Sequence, residues 1–148
     1  MAFRFTLAPL LRLRQSIERQ RALQLQEASL QVSRAQESLA QLDRYLSDSA
    51  RSDDAGLATG RTAVELQFAT VLRENLQRFR EELQSDIRKL ELLRQQAASA
   101  YHQAYREREV LETMRARQHR AYQQEQLHRQ QRELDAVYLL QRWHHRSG

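Results

Sequence analysis

The residues of this chain that could do chemistry are few, and its histidines are the first candidates. No two of the five are spaced i,i+4, the spacing that places two metal ligands on one face of a helix: His102, His119, His128, His144 and His145. His144 and His145 have a simpler interpretation, because a positively charged histidine near a helix C-terminus interacts favourably with the helix dipole. There is no cysteine to supply a thiolate ligand. We therefore expect no metal site and no cofactor.

Two acids, Asp86 and Glu107, are the remaining candidates, since paired carboxylates can act as general acid and base. Both interrupt an apolar repeat, where a polar residue more commonly fixes the register of a coiled coil. A phosphate-binding loop needs several glycines between a strand and a helix, and the chain has three glycines in total. We predict that the protein is not an enzyme.

Two long stretches free of Gly and Pro carry these residues, one from Leu10 to Ala55 and one between Gly60 and Gly148. Gly and Pro cost helix interiors about 1 and 3 kcal/mol relative to Ala, so their absence permits very long helices. Residues are 41% hydrophobic and 29% charged, a composition typical of coiled coils. The predicted fold class is all-α, with two long helices in an antiparallel coiled-coil hairpin and an overhanging C-terminal helix.

Heptad spacing and capping signals predict the limits of these elements within one coiled-coil domain over residues 1–148. Helix 1 is expected over about 7–49, with an apolar seam at Leu25, Ala28, Val32, Ala35, Leu39, Leu42 and Leu46. The loop is expected over about 50–61, which contains Gly56 and Gly60. Thr62 and Glu65 match a capping box that begins helix 2, expected over about 62–143. Its seam begins Ala69, Leu72, Leu76, Phe79 and Leu83.

A short loop makes the two helices antiparallel neighbours, and we predict the register in which facing residue numbers sum to 111. That register places Leu42 against Ala69 and Leu10 near Tyr101. Everything beyond about Arg106 would then project past the N-terminus.

The projecting end carries an apolar cluster that needs a partner. Val137 to Leu140 is apolar on every face, and Trp143 follows. Exposed contiguous apolar surface usually marks an interaction site. Packing against helix 1 in another register, or against a second copy of the chain, would also cover the cluster. Phe68, at the edge of the seam, is a second candidate contact.

Charge limits the classes of partner. The net charge is +5, and no stretch of about 18 apolar residues could span a membrane. Basic and acidic residues alternate along most of both helices, which favours a solvated surface over a nucleic-acid track. The basic N-terminal end is an exception, because its first 21 residues contain five arginines and Glu18 as the one acidic residue: Arg4, Arg12, Arg14, Arg19 and Arg21. A basic RNA-binding hairpin remains an alternative, which would require binding that weakens steeply with salt.

The N-terminal string from Phe3 to Arg14, FRFTLAPLLRLR, resembles the opening F-x-F-x-L-x-x-L-L-x-x-R of the flagellar export protein FliJ family. Glu133-Leu134-Asp135 is similar to an E-x-D element near the C-terminus of those proteins. The resemblance covers the whole chain in length and layout.

The resemblance implies a fold like the central stalk of rotary ATPases and a set of partners. FliJ inserts into the hexameric ring of the flagellar export ATPase, contacts the cytoplasmic domain of the export gate and helps to cycle export chaperones. It also implies a cytoplasmic location, peripherally associated with the inner membrane at the flagellar base. The implied gate-binding patch is Phe68, Leu72, Asn75 and Phe79. The implied ATPase-ring contacts are Arg12, Arg14, Arg19, Leu134, Tyr138 and Trp143.

Two alternatives to this function stay open. The equivalent stalk of a virulence type III secretion system shares these sequence features, so the sequence does not separate the two. A homo-oligomeric coiled-coil scaffold would pair the free half of helix 2 with a second copy. A monomer at all concentrations would fit the stalk, and an obligate dimer would fit the scaffold.

Overall fold

The computed structural model describes residues 2–148 and shows an all-α hairpin. Helix α1 spans Ala8–Ala58 and helix α2 spans Ala63–Arg146, with no strand among the described residues. The two long helices pack against each other, which confirms the predicted fold class. Contacts divide the chain into unit 1, residues up to Glu18 together with Gln103–Gly148, and unit 2, Arg19–His102. The single coiled-coil domain stays a prediction.

The end of α1 corrects the predicted helix 1 of about 7–49 and loop of about 50–61. The helix continues to Ala58, and the connection is only residues 59–62. Gly60, with a positive φ of 85°, ends the helix, and the N–H of Arg61 donates to the carbonyl of Gly56 at 3.3 Å. This six-residue closure is the Schellman motif, in which glycine adopts the left-handed conformation just beyond the helix. Gly60 is therefore the stop signal, and the Ser- and Asp-rich stretch before it is helical.

Replacing Gly60 with alanine is expected to destabilise unit 2 by about 1–2 kcal/mol, because a side chain makes the left-handed conformation costly. No heavy atom lies within 4 Å of a Cβ built there, so the effect comes from the backbone alone. Thermal unfolding followed by circular dichroism measures it. Gly60→Asn is the control, since asparagine tolerates this conformation, and an equal loss in both variants would contradict this explanation.

Helix α2 begins as predicted, with a reciprocal capping box. The N–H of Thr62 donates to Oε2 of Glu65, and the N–H of Glu65 donates to Oγ1 of Thr62, each at 3.4 Å. Each bond satisfies an amide that has no partner in the first turn of a helix. The observed Ala63–Arg146 extends three residues past the predicted end at about 143.

The predicted register is wrong in both units. In unit 2, residue 43 was expected opposite Phe68, and Asp43 instead pairs with Arg80, twelve positions farther along. In unit 1, Arg14 was expected opposite Ala97 and instead pairs with Glu107. The cause is the longer α1, since moving the turn toward the C-terminus shifts every facing pair in the same direction.

Unit 1 is held by a small apolar core and a set of ion pairs. Phe5, Leu11 and Leu111 are its buried core, with Phe3, Leu7 and Ala8 packed against them. Arg108, beside that core, forms ion pairs with Glu18 and Glu112. Burial lowers the pKa of Arg108, but pairing with the two carboxylates outweighs it, so the pKa is raised overall.

The covered part of α2 in unit 1 ends later than predicted. The ring of Phe3 lies 5.0 Å from that of His119 and 5.6 Å from that of Tyr122, between ring centroids. Leu10 is therefore not placed near Tyr101, and Arg106 is not where the free segment begins. From Leu127 to Gly148 every residue is exposed. We call residues 127–148 the tail.

Candidate functional site

A groove in unit 2, next to the loop, is the first candidate interaction site. Its volume is about 900 Å³. The apolar side chains on it come from both helices: Tyr45, Val64, Phe68, Ala69 and Leu72. Its polar side chains are Asp48, Ser49, Ser52, Asp53, Arg61 and Glu65. We call this the loop groove. An apolar lining with a polar rim is the usual composition of a site that binds a side chain of a partner protein.

The four residues of the implied gate-binding patch lie on one face of α2, and all four are exposed. Phe68 is 70% exposed and Phe79 is 54% exposed, and Leu72 and Asn75 are also open to solvent. Their spacing of four, three and four residues places them on one side of a helix. The assignment of Leu72 and Phe79 to the buried seam is therefore wrong, whereas Leu76 and Leu83 of the same seam are partly buried. Only Phe68 and Leu72 line the loop groove.

A charged clamp closes the loop groove at the turn. The carboxylate of Asp53 accepts a hydrogen bond from Nη1 of Arg61 at 2.7 Å and another from Arg73 on α2. The side chain of Arg61 lies over Gly56, where an added Cβ would come within 2.5–3.0 Å of it. Gly56 is thus a helical glycine whose missing side chain makes room for the arginine. The clamp fixes the distance between the helices on which Tyr45 and Phe68 stand.

The sequence did not reveal Tyr45 and Asp53 as parts of a site. Both lie on the part of α1 nearest the turn, and Asp53 stood in the stretch interpreted as a loop. The signal that could have found Asp53 is Gly60, because ending α1 there keeps Asp53 helical and brings it opposite Arg73.

The arginines implied as ring contacts differ in their surroundings. In unit 1, Arg14 is held by its ion pair with Glu107, whereas Arg12 is exposed on a groove beside Arg4 and Arg115. Arg19 belongs to unit 2 and is exposed. Arg12 therefore has its charge available for a partner, and Arg14 has much of its charge neutralised.

The tail exposes seven large apolar side chains of unit 1. Leu134 and Trp143 are nine residues apart, which at about 100° per residue places them on opposite sides of α2. One side carries Leu127, Leu134, Val137 and Tyr138, and the opposite side carries Leu139, Leu140 and Trp143. All of these side chains are exposed, Trp143 at 73%. Leu134, Tyr138 and Trp143 were predicted contacts, and the structure places them on both faces of the tail rather than on one.

Residues 2–148 contain no group of three or more His, Cys, Asp or Glu side chains that could hold a metal ion. Within the same residues, neither helix has an apolar stretch long enough to cross a membrane.

Comparison with known protein families gives a match over nearly the whole chain. The family model described as the flagellar FliJ protein matches residues 3–148, nearly the whole chain. Neither the curated proteins nor the solved structures gave a match.

Proposed function

Because the chain belongs to the family of flagellar FliJ proteins, which implies a role in flagellar protein export, we propose that it is a non-enzymatic stalk and adaptor of the export apparatus. In this proposal the tail enters the ring of the export ATPase, and the loop groove contacts the cytoplasmic domain of the export gate. The protein also helps to cycle export chaperones. It acts in the cytoplasm, peripherally at the membrane that holds the gate.

The observation that carries the proposal is the tail with two opposite apolar faces. A flat surface, such as a membrane or a single partner helix, covers one side of a helix and leaves the other in water. The lumen of a ring surrounds a helix and can bury both sides. Burial stabilises a complex by roughly 25 cal/mol per Å² of apolar surface removed from water. A partner that covers both faces of the tail therefore stabilises the complex more than a partner that covers one face.

The loop groove of unit 2 supports contact with the gate. Phe68 and Tyr45 present two large aromatic side chains, and aromatic residues are enriched among those that dominate binding energy at protein interfaces. Asp48 and Glu65 give the groove a polar rim, and the Asp53 clamp keeps the two helices in place around it. A preorganised groove binds more tightly because less conformational entropy is lost on binding.

The proposal is tested by measuring association of the full chain with two purified partners, the hexameric export ATPase and the cytoplasmic domain of the export gate. We expect binding to both, and loss of ATPase binding alone when residues 127–148 are removed. The melting temperature of the truncated chain should remain close to that of the full chain, because the tail is exposed. Absence of binding to both partners would overturn the proposed function.

The exposed tail also favours one rival, a scaffold in which two tails pair. Pairing of two tails covers one face of each helix, so it leaves the second apolar face unexplained. Sedimentation of the full chain separates the two cases. A monomer over the whole concentration range is the expected result, and a dimer that does not dissociate would support the scaffold.

Replacing Phe68 with glutamine is expected to weaken binding to the gate domain at least tenfold, which corresponds to about 1.4 kcal/mol. Glutamine keeps helix propensity but removes the aromatic surface. The matched control is Leu92→Gln, since Leu92 is 56% exposed in the same unit and lies outside the loop groove. Calorimetric titration measures both, and equal affinities of the two variants would contradict the assignment of the groove.

A further inference from the structure

The net charge of the chain is confined to unit 1. Unit 1 contains 12 arginines and 7 acidic residues, a net charge of +5. Unit 2 contains 12 basic and 12 acidic residues, a net charge of zero. The basic character of the protein therefore belongs to the unit that carries the tail, and a partner of unit 1 meets a positive field that a partner of unit 2 does not.

Within unit 1, some arginines are neutralised and others are not. Arg14 and Arg108 pair with acids of the neighbouring helix. Nine exposed arginines of unit 1 form no ion pair with any described residue, and five of them lie near one another in the fold or on the same few turns of α2: Arg4, Arg12, Arg115, Arg117 and Arg120. Residues 113–124 of α2 contain no acid at all. We call these five arginines the basic collar. Its three arginines on α2, Arg115, Arg117 and Arg120, lie just before the tail in the chain.

The basic collar extends around α2. Arg4, Arg12 and Arg115 line one groove, whose apolar lining includes Phe3 and Phe5. Arg117 stands two residues after Arg115 and is therefore rotated by about 200° around the helix. Arg120 follows Arg117 by three residues and shares its side. Positive charge thus faces outward on opposite sides of the same few turns.

A collar of this kind fits an acidic partner that surrounds the helix. A flat anionic surface, such as a membrane or a nucleic-acid duplex, would contact one side and leave the opposite arginines in water. We propose that the basic collar docks on an acidic rim at the mouth of the ring whose lumen takes the tail. This inference rests on the proposed function and adds to it the charge of the partner surface and the residues that meet it.

The physical role of the collar is to guide association more than to hold the complex. Exposed charges act over about 8–10 Å at physiological salt, so opposite fields draw the partners together before apolar surfaces meet. Rim charges of this kind change the association rate and its salt dependence, whereas buried apolar contacts set the dissociation rate. The tail and the collar should therefore have separable kinetic effects.

The test compares two triple variants of the full chain with the same net charge. Arg115→Glu, Arg117→Glu and Arg120→Glu reverse the collar on α2. Arg34→Glu, Arg78→Glu and Arg88→Glu reverse three exposed arginines of unit 2 and serve as the control. Stopped-flow fluorescence measures the rate of association with the hexameric export ATPase between about 50 and 500 mM NaCl, and circular dichroism verifies that both variants remain helical.

We expect the unmodified chain and the control to associate about tenfold more slowly at high salt than at low salt. The collar variant should associate at least tenfold more slowly than the control at low salt and show little salt dependence, with a dissociation rate within about threefold of the control. Equal association rates for the two variants would overturn the proposal that the collar docks on the ring. So would a collar variant that binds the ring normally but loses binding to vesicles of phosphatidylglycerol. If even the unmodified chain does not bind the ring, the proposed function fails, and the collar inference fails with it.

Discussion

Replacing Leu11 with alanine is expected to cost unit 1 about 2–4 kcal/mol of stability. Leu11 is 3% exposed, the lowest value in the described core, and it packs with Phe5 and Leu111. Removing a buried leucine side chain loses its transfer free energy and leaves a cavity that the surroundings fill only partly. Because this core is so small, few neighbours can move in to close the cavity. Amide hydrogen exchange of residues 8–18 and 103–122 should report the loss as faster local opening.

The matched control for this change is Leu13→Ala. Leu13 lies two residues away on the same helix and is 55% exposed, so its truncation removes much less buried surface. We expect a change within about 0.5 kcal/mol, the usual range for surface substitutions. Amides of unit 2 should exchange at the same rate in both variants. Similar exchange in the Leu11 and Leu13 variants would mean that the Phe5, Leu11 and Leu111 core does not hold unit 1 together.

The helices could be predicted from the sequence because local signals specify them. The absence of Gly and Pro predicts length, and the Thr62 and Glu65 pair predicts where α2 begins, since each partner satisfies an amide of the other residue. These signals depend on neighbours within a few residues in the chain. Nothing distant is needed to interpret them, and the structure agrees with them.

The register could not be predicted because it depends on one choice at the turn. Ser47 to Asp54 has low helix propensity, which favoured ending α1 near residue 49. The structure keeps this stretch helical, with Asp53 clamped by Arg61 and Arg73, and ends it at Gly60. Those contacts join α1 to the turn and to α2, so the helix propensities of single residues do not reveal them. Because the predicted helix 1 ended nine residues too early, every residue of α1 was paired with the wrong residue of α2.

The candidate sites also divide into those that local sequence signals reveal and those that depend on contacts between the helices. The apolar tail was evident from the sequence, because Val137 to Leu140 has no polar side that a two-helix seam could leave in water. The Phe68 face was identified through the family resemblance. Its full exposure to solvent was not predicted, since Leu72 and Phe79 were assigned to the seam. The basic collar required the structure, because Arg4, Arg12 and Arg115 are brought to one groove only by the packing of α1 on α2 within unit 1.

Substituting either face of the tail alone is expected to lower affinity for the export ATPase ring about 100-fold. The first variant is Leu134→Gln with Tyr138→Gln, and the second is Leu139→Gln with Trp143→Gln. Glutamine retains helix propensity, so the tail should remain helical while one apolar face becomes polar. A 100-fold loss corresponds to about 2.7 kcal/mol, or about 1.4 kcal/mol for each of the two large side chains removed from a face. Titration of the ring with each variant measures the loss.

The pair of variants distinguishes a surrounding partner from a one-sided one. A lumen that encloses the tail contacts both faces, so both variants should lose affinity by similar factors. A flat partner contacts one face, so one variant would lose affinity and the other would bind as the unmodified chain does. Leu23→Gln with Leu92→Gln alters two exposed leucines of unit 2 and should leave ring binding unchanged. If only one face proves sensitive, the tail binds the outside of its partner rather than a pore, because burial on both sides is what a pore requires.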